Sequence, residues 1–107
     1  MPRHVVLGNG RLLVNFDDRL SMRDFYYPRV GQSNHILGHR NSVGVWVEGA
    51  FDWVHGPRWT RTIRYEPDTL VACVTALHPE LAVRLEVRDA VHYREDVFLR
   101  KMTVRNL

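Results

Sequence analysis

Helical periodicity is almost absent from this chain of 107 residues. Nowhere do apolar residues recur at three- and four-residue spacing long enough to bury one face of a helix, so an all-helical fold or an alternating strand–helix fold finds no support. No apolar run approaches the ~20 residues of a membrane span, which leaves no membrane partner to expect, and Met1-Pro2-Arg3-His4 lacks the apolar core of a secretory signal. Cysteine is reduced to Cys73. No internal disulfide can staple the fold, and a cytoplasmic location is the expectation. Lysine is nearly missing too, since Lys101 is the only one among 15 basic residues. Repeats and low-complexity tracts are absent.

The chemistry-bearing motifs are equally sparse. There is no Gly-x-Ser-x-Gly elbow, no phosphate-binding glycine loop and no supported Cys–His pairing. His35 and His39 stand four apart, but that spacing joins metal ligands only on a helix, and Gly38 lies between them. Loop histidines with local hydrogen bonds are the simpler reading, so neither a metal site nor a cofactor is expected. The formal charge of +3 and the sequence pI near 9.5 raise nucleic acid as a partner. The basic residues, however, are scattered and interleaved with 12 acids, without a block or stripe. A nucleic-acid footprint needs such a stripe, so no nucleic-acid partner is expected and the arginines read as compositional bias.

What is present is an ordinary globular composition, 45% hydrophobic and 25% charged. Residues 1–107 make a single domain, in which about two-thirds of the unfolded surface is buried. Period-two patterning dominates. Gly8-Asn9-Gly10 reads as a tight turn, Leu12–Phe16 as a strand leaving it, and Asp17-Asp18 followed by Arg19 as a hairpin turn. A second strand runs toward Phe25-Tyr26-Tyr27, where Pro28 denies the ladder a donor and sends the chain on a polar surface excursion to His35. Val43–Val47 and Phe51–Val54 flank a Glu48-Gly49 turn as a hairpin. From Trp59 to Tyr65, Trp59, Ile63 and Tyr65 share one face. Leu70–Leu77, apolar on both faces, reads as a central strand. The cleanest alternation sets Leu81, Val83, Leu85 and Val87 against Ala82, Arg84, Glu86 and Arg88. A last strand places Phe98, Met102 and Val104 on one face with Arg100 among them. A buried arginine needs a carboxylate, with Asp89 or Asp24 as candidates, unless Arg100 snorkels at a rim. Short strands between regular turn signals predict an all-β fold, an antiparallel β-sandwich.

Aromatic residues are the remaining functional signal. Alternation assigns Trp46 and Trp59 to the core. Tyr26, Tyr27 and Trp53 lie next to loops, where packing is the commoner role of an amphipathic ring and ligand or domain contact the second.

The order Gly8-Asn9-Gly10-Arg11-Leu12-Leu13-Val14, Asp17 and Asp24, Tyr26-Tyr27-Pro28-Arg29-Val30-Gly31 and Asn34-His35 carries a resemblance. It continues through Gly44-Val45-Trp46-Val47-Glu48-Gly49, Phe51, Trp53, Tyr65, Asp68-Thr69-Leu70-Val71, Asp89, Val91, Arg100, Val104 and Asn106. The ordered set resembles the N-terminal β-sandwich domain of bacterial and archaeal glucoamylase-type enzymes of glycoside hydrolase family 15, which includes glucodextranases and some trehalases. The resemblance implies a supersandwich-like fold, of which this chain holds part, and beyond it an (α/α)6 barrel carrying the hydrolytic glutamates. That catalytic barrel is the implied partner, with an α-glucan oligosaccharide as a further one. The chain offers carboxylates at Asp17, Asp18, Asp24, Glu48, Asp52, Asp68 and Asp89. Inverting glycoside hydrolysis needs two of them about 6.5–9.5 Å apart across the sugar, which sequence cannot show, so no catalytic residue is assigned. Candidates for the substrate rim or the domain contact are Asp24, Tyr26, Tyr27, Arg29, Asn34, His35 and Trp53. A stand-alone carbohydrate-binding module and a self-associating β domain remain the alternatives. Ending at Leu107 after a strand exposes sheet edges, so homo-oligomers are expected.

Overall fold

The computed structural model describes residues 4–31, 33–36, 39 and 41–107. Gln32 of the surface excursion, Gly38 between the two histidines and residues 1–3 of the N-terminal stretch lie outside them. The described residues form strands and turns without a helix: β1 Val5–Gly8, β2 Leu13–Phe16, β3 Met22–Tyr26, β4 Gly44–Val47, β5 Ala50–Trp53, β6 Thr60–Tyr65, β7 Ala72–His78, β8 Val83–Val91 and β9 Phe98–Asn106. They pair antiparallel throughout, in sheets of order β1-β2-β3, β4-β5 and β6-β7-β8-β9. The all-β, antiparallel, sandwich-like architecture follows from the alternation in the sequence. In β8, Val83, Leu85, Val87 and Asp89 are buried while Arg84, Glu86 and Arg88 face outward.

The turns have local causes. Asn9 Oδ1 accepts from the amides of Arg11 and Leu12, and Gly10 takes φ 94°, which closes β1 onto β2. Asp17 does the same between β2 and β3, accepting from the amides of Arg19 and Ser21 at 2.9 and 3.0 Å. Glu48 and Gly49 both have positive φ, the form of two-residue turn whose twist matches a hairpin.

The core lies between the first sheet and the four-stranded sheet. Val5, Leu7, Val14, Phe16 and Met22 meet Ala72, Val74, Ala76, Val83, Leu85 and Val87, with Val54 and Trp59 closing one side. Tyr65 ties the layers by its hydroxyl, which accepts from the Val6 amide at 2.8 Å and donates to the Val6 carbonyl at 2.9 Å. That bond also occupies part of the open edge of β1.

Arg100 is paired, and the partner is Asp89 on the neighbouring strand. Its Nε and an Nη donate to the two carboxylate oxygens at 2.7 and 2.9 Å, and Asp89 is 1% exposed. The guanidinium also lies over the Phe16 and Phe98 rings at 5.3 and 5.5 Å, so it bridges β9 to β2.

Three expectations need correction. Trp46 is not in the core but 70% exposed, because Val45 and Val47 turn inward from β4 and the residue between them must turn out. Of the apolar face predicted for β9, Phe98 packs on the core while Met102 and Val104 stay exposed, because the first sheet covers only the near end of that strand. The predicted strand from Leu70 starts later, at Ala72, and Leu70 is exposed.

Candidate functional site

Three loops meet at one end of the molecule. Leu13 pairs with Gly8 on one side and Tyr26 on the other, so the Gly8–Leu12 turn and the start of the surface excursion are neighbours. The turn between β8 and β9 joins them. Asn9 Nδ2 donates to the carbonyls of His92 and Glu95 at 2.9 and 3.1 Å, and Arg11 donates to Asp96 at 2.8 Å and to the Arg94 carbonyl at 2.6 Å. The Arg11 bond is the main reason the Asp96 carboxyl titrates below its ordinary value, with the neighbouring Tyr27 hydroxyl and Asn9 side chain acting the same way. Tyr27 packs its ring against the core.

The excursion is held at its base by an amide–carboxylate set. Asn15 and Asp24 are directly opposed on β2 and β3, and a register shift beside Asn15 lets Phe16 and Met22 both point to the core. Asn15 Nδ2 donates to Asp24 Oδ2 at 3.2 Å, and Asn34 Nδ2 donates to Asp24 Oδ1 at 3.0 Å. Asn34 Oδ1 in turn accepts from the amides of Phe25 and Ile36, and Asn34 makes a β-bridge with Tyr26. The His35 amide donates to the Phe25 carbonyl at 2.8 Å, and its ring Nε2 lies 3.3 Å from the Tyr27 carbonyl. Asp24 and Asn15 are buried, Tyr26, Tyr27 and Asn34 half-buried, and Arg29 and His35 exposed. Among the described residues the buried Asn15 Oδ1 finds no hydrogen-bond donor. The arrangement reads as a rigid pedestal under an exposed loop, because every atom it fixes belongs to the loop's two roots.

Trp53 stands elsewhere. The β4–β5 hairpin is fixed by Asp52, whose Oδ2 lies 2.8 Å from His78 Nε2 at the end of β7 that pairs with Val83. The loop cluster adjoins Val91, at the other end of β8, roughly 26 Å away along the strand. Six of the seven sequence candidates therefore gather in one place, and the seventh belongs to another. There Trp53 packs edge-on to Phe51 at 4.9 Å and stacks on His55 at 5.7 Å. Trp46 is opposite Phe51 on the same outward face, and Phe51 lies over Gly44, where a side chain would displace it. Trp46, Phe51 and Trp53 are all exposed. Sequence reasoning missed Phe51 and misassigned Trp46; the period-two pattern of β4 read jointly with β5 was the available signal.

His78 illustrates a titratable pair that is structural. Its Nδ1 accepts from the Leu81 amide at 3.0 Å, so the proton sits on Nε2 and is donated to Asp52. The ring is 1% exposed and edge-on to Trp59, out of reach of any ligand. Arg61 has a comparable role, donating to the Val54 and Gly56 carbonyls at 2.8 Å, and burial, with Arg19 nearby, lowers its pKa. Among the described residues no group of three or more His, Cys, Asp or Glu side chains is placed to hold a metal ion, and no helix is long and apolar enough to cross a membrane.

The fold and this end-cluster define an antiparallel β domain with a pinned surface loop. Comparison with protein families, with curated proteins and with solved structures found no match.

Proposed function

We propose that this chain is an N-terminal accessory β-sandwich of a glucoamylase-type α-glycosidase. It braces an (α/α)6 catalytic barrel and holds the loop between Asp24 and His35 at the rim of that barrel's cleft. The observation that carries the reading is the convergence of Gly8–Arg11, Tyr26–Arg29 and Asn34-His35, which are separate in sequence, on one end of the molecule. Their buried members form the pedestal, and Arg29 and His35 are the exposed groups it presents. In this reading the catalytic acid and base are glutamates of the barrel, and the enzyme works in the cytoplasm.

The test is the native polypeptide in the source cell. A polypeptide far larger than 12.6 kDa that hydrolyses maltooligosaccharides, and loses turnover but no thermal stability on Arg29→Ala, supports the proposal. A native polypeptide of that mass without hydrolytic activity refutes it.

A second reading is favoured by the hairpin rather than the loop. Trp46, Phe51 and Trp53 form an exposed aromatic face, and the apolar C–H faces of sugars stack on such rings. A carbohydrate-binding module would use that face, and titration of the folded chain with maltooligosaccharides, followed by tryptophan fluorescence, separates it from the first reading.

A further inference from the structure

The chain's arginines look scattered in sequence, but strand register collects many of them. Reading across the four-stranded sheet, one outward row runs Arg64, Cys73, Arg88, Lys101, the next Thr62, Thr75, Glu86, Thr103, and a third Thr60, Leu77, Arg84, Arg105. Alternate residues of β7 and β8 are buried in the core, which turns these rows away from it. Arg64, Arg84, Arg88, Lys101 and Arg105 therefore share one flat face.

Stability does not explain this placement. Arg88 directly opposes Lys101, and Arg84 directly opposes Arg105, and like charges so placed destabilise a sheet. Glu86 offsets one pair only at long range, 3.9 Å from Arg84 and 3.5 Å from Arg105. Glu66 meets Arg88 at 3.0 Å at the sheet's margin. Arg64 and Lys101 make no ion pair among the described residues. Beside Lys101 lies an open groove of about 310 Å³ lined by Glu86, Arg88, Lys101 and Thr103.

We propose that this face is a docking surface for an acidic protein segment. Residues four apart on one strand lie about 13 Å apart, so the cations form two bands at that spacing with a threonine-rich strip between them. Guanidinium forks match carboxylates in bidentate geometry, and threonine hydroxyls serve peptide groups in the strip. No aromatic residue lies in the three rows, so sugar rings find no aromatic platform there. Glu86 in the middle strip would face a continuous phosphate backbone with like charge. A polypeptide can set its carboxylates over the two bands and leave uncharged residues over Glu86. The inference goes beyond the accessory-domain reading and does not depend on it.

The test is fluorescence anisotropy of a labelled Glu-Glu-Thr-Thr-Glu-Glu peptide, whose acidic pairs lie about 13 Å apart when extended, with the folded chain, beside a DNA duplex of matched charge. The peptide is expected to bind more tightly than the duplex, with affinity falling as salt rises, and Arg88→Gln with Lys101→Gln is expected to weaken it about tenfold. Arg19→Gln with Arg58→Gln removes the same charge from other surfaces and is expected to leave affinity unchanged. Melting should be unaffected or raised in the first pair, because an opposed like-charge pair is removed; if that pair unfolds, Lys101→Gln with Arg105→Gln on the edge strand replaces it. Absence of binding, equal weakening by both charge-matched pairs, or tighter binding of the duplex overturns the proposal.

Discussion

Replacing Asp89 by Asn removes one charge from a deeply buried ion pair and leaves almost every contact in place. The Asp89 side chain is 1% exposed and that of Arg100 19% exposed, so the orphaned guanidinium would keep only partial access to water. One bidentate bond is also lost, since the Asn amide nitrogen faces an arginine N–H donor to donor. Breaking a buried pair by removing one partner costs about 3–5 kcal/mol, and the partial exposure of Arg100 places the expectation near 3. For a domain of this length that is a fall in Tm of roughly 12–20 °C. Stability should be read by urea unfolding, with fluorescence of the buried Trp59 as one probe and far-ultraviolet circular dichroism as another. The double replacement Asp89→Asn with Arg100→Met is predicted to recover most of the loss, because it removes the uncompensated charge and keeps apolar contact with Phe16 and Phe98. A loss below about 1 kcal/mol for Asp89→Asn would refute the claim that this pair is desolvated, since exposed pairs are worth no more than that.

Gly44→Ala is predicted to push the Phe51 ring off the strand, altering near-ultraviolet circular dichroism from Trp53 while costing under about 1 kcal/mol, because the displaced ring is exposed. The carboxyl of Asp96 should titrate below its ordinary value by carbon-detected NMR and return toward it in Arg11→Gln. A depressed carboxylate pKa stabilises the fold above the unfolded-state value, so this contribution is lost as pH falls through the folded-state pKa, on the acid side of the ordinary range. Asn34→Ala removes the Asp24, Phe25 and Ile36 bonds together and should raise amide exchange across the excursion by more than tenfold, with little change in β8. Trp46→Ser should reduce any self-association seen by light scattering if the hairpin face is the contact, whereas unchanged association would place the contact at the sheet edges.

How legible each element was depended on whether its signal is local. The alternation of β8 was plain because from Val83 to Arg88 its parities are pure, apolar inward and charged outward, and only Asp89 breaks the inward set. The turns at Asn9, Asp17 and Glu48-Gly49 were legible because each is made by the side chain or the φ of a residue inside it. Trp46 was misplaced because a four-residue strand contains too few alternations to fix which parity faces in, and only its pairing with β5 decides. The loop cluster was half legible. Asp24, Tyr26, Tyr27, Arg29, Asn34 and His35 are close in sequence, whereas the bonds from Asn9 and Arg11 to residues 92–96 cross the whole chain, and no spacing announces them. The outer basic face was invisible for the same reason. Its members come from β6, β8 and β9, and only hydrogen-bonding register aligns them.

One variable, residue parity along β9, separates the two uses of arginine in this protein. Phe98 and Arg100 share the inward parity, where Arg100 meets a buried carboxylate; Lys101 and Arg105 take the outward parity, where they meet other cations. A slip of β9 by one residue would exchange the sets, burying Lys101 opposite Asp89 and putting Arg100 in the outer row. The apolar pattern of β9 resists this weakly, since Met102 is 38% and Val104 62% exposed. The bidentate bond to Asp89 resists it strongly, because lysine cannot reproduce a planar fork or lie over Phe16 and Phe98 as the guanidinium does. The buried pair thus contributes through register more than through stability: it lets a strand with a poor apolar face dock in one alignment, and that alignment presents the cations outward. Arg100→Lys should then broaden the exchange behaviour of β9 amides beyond what its loss of stability predicts, and uniform protection across β8 and β9 in that variant would show that the remaining pattern suffices.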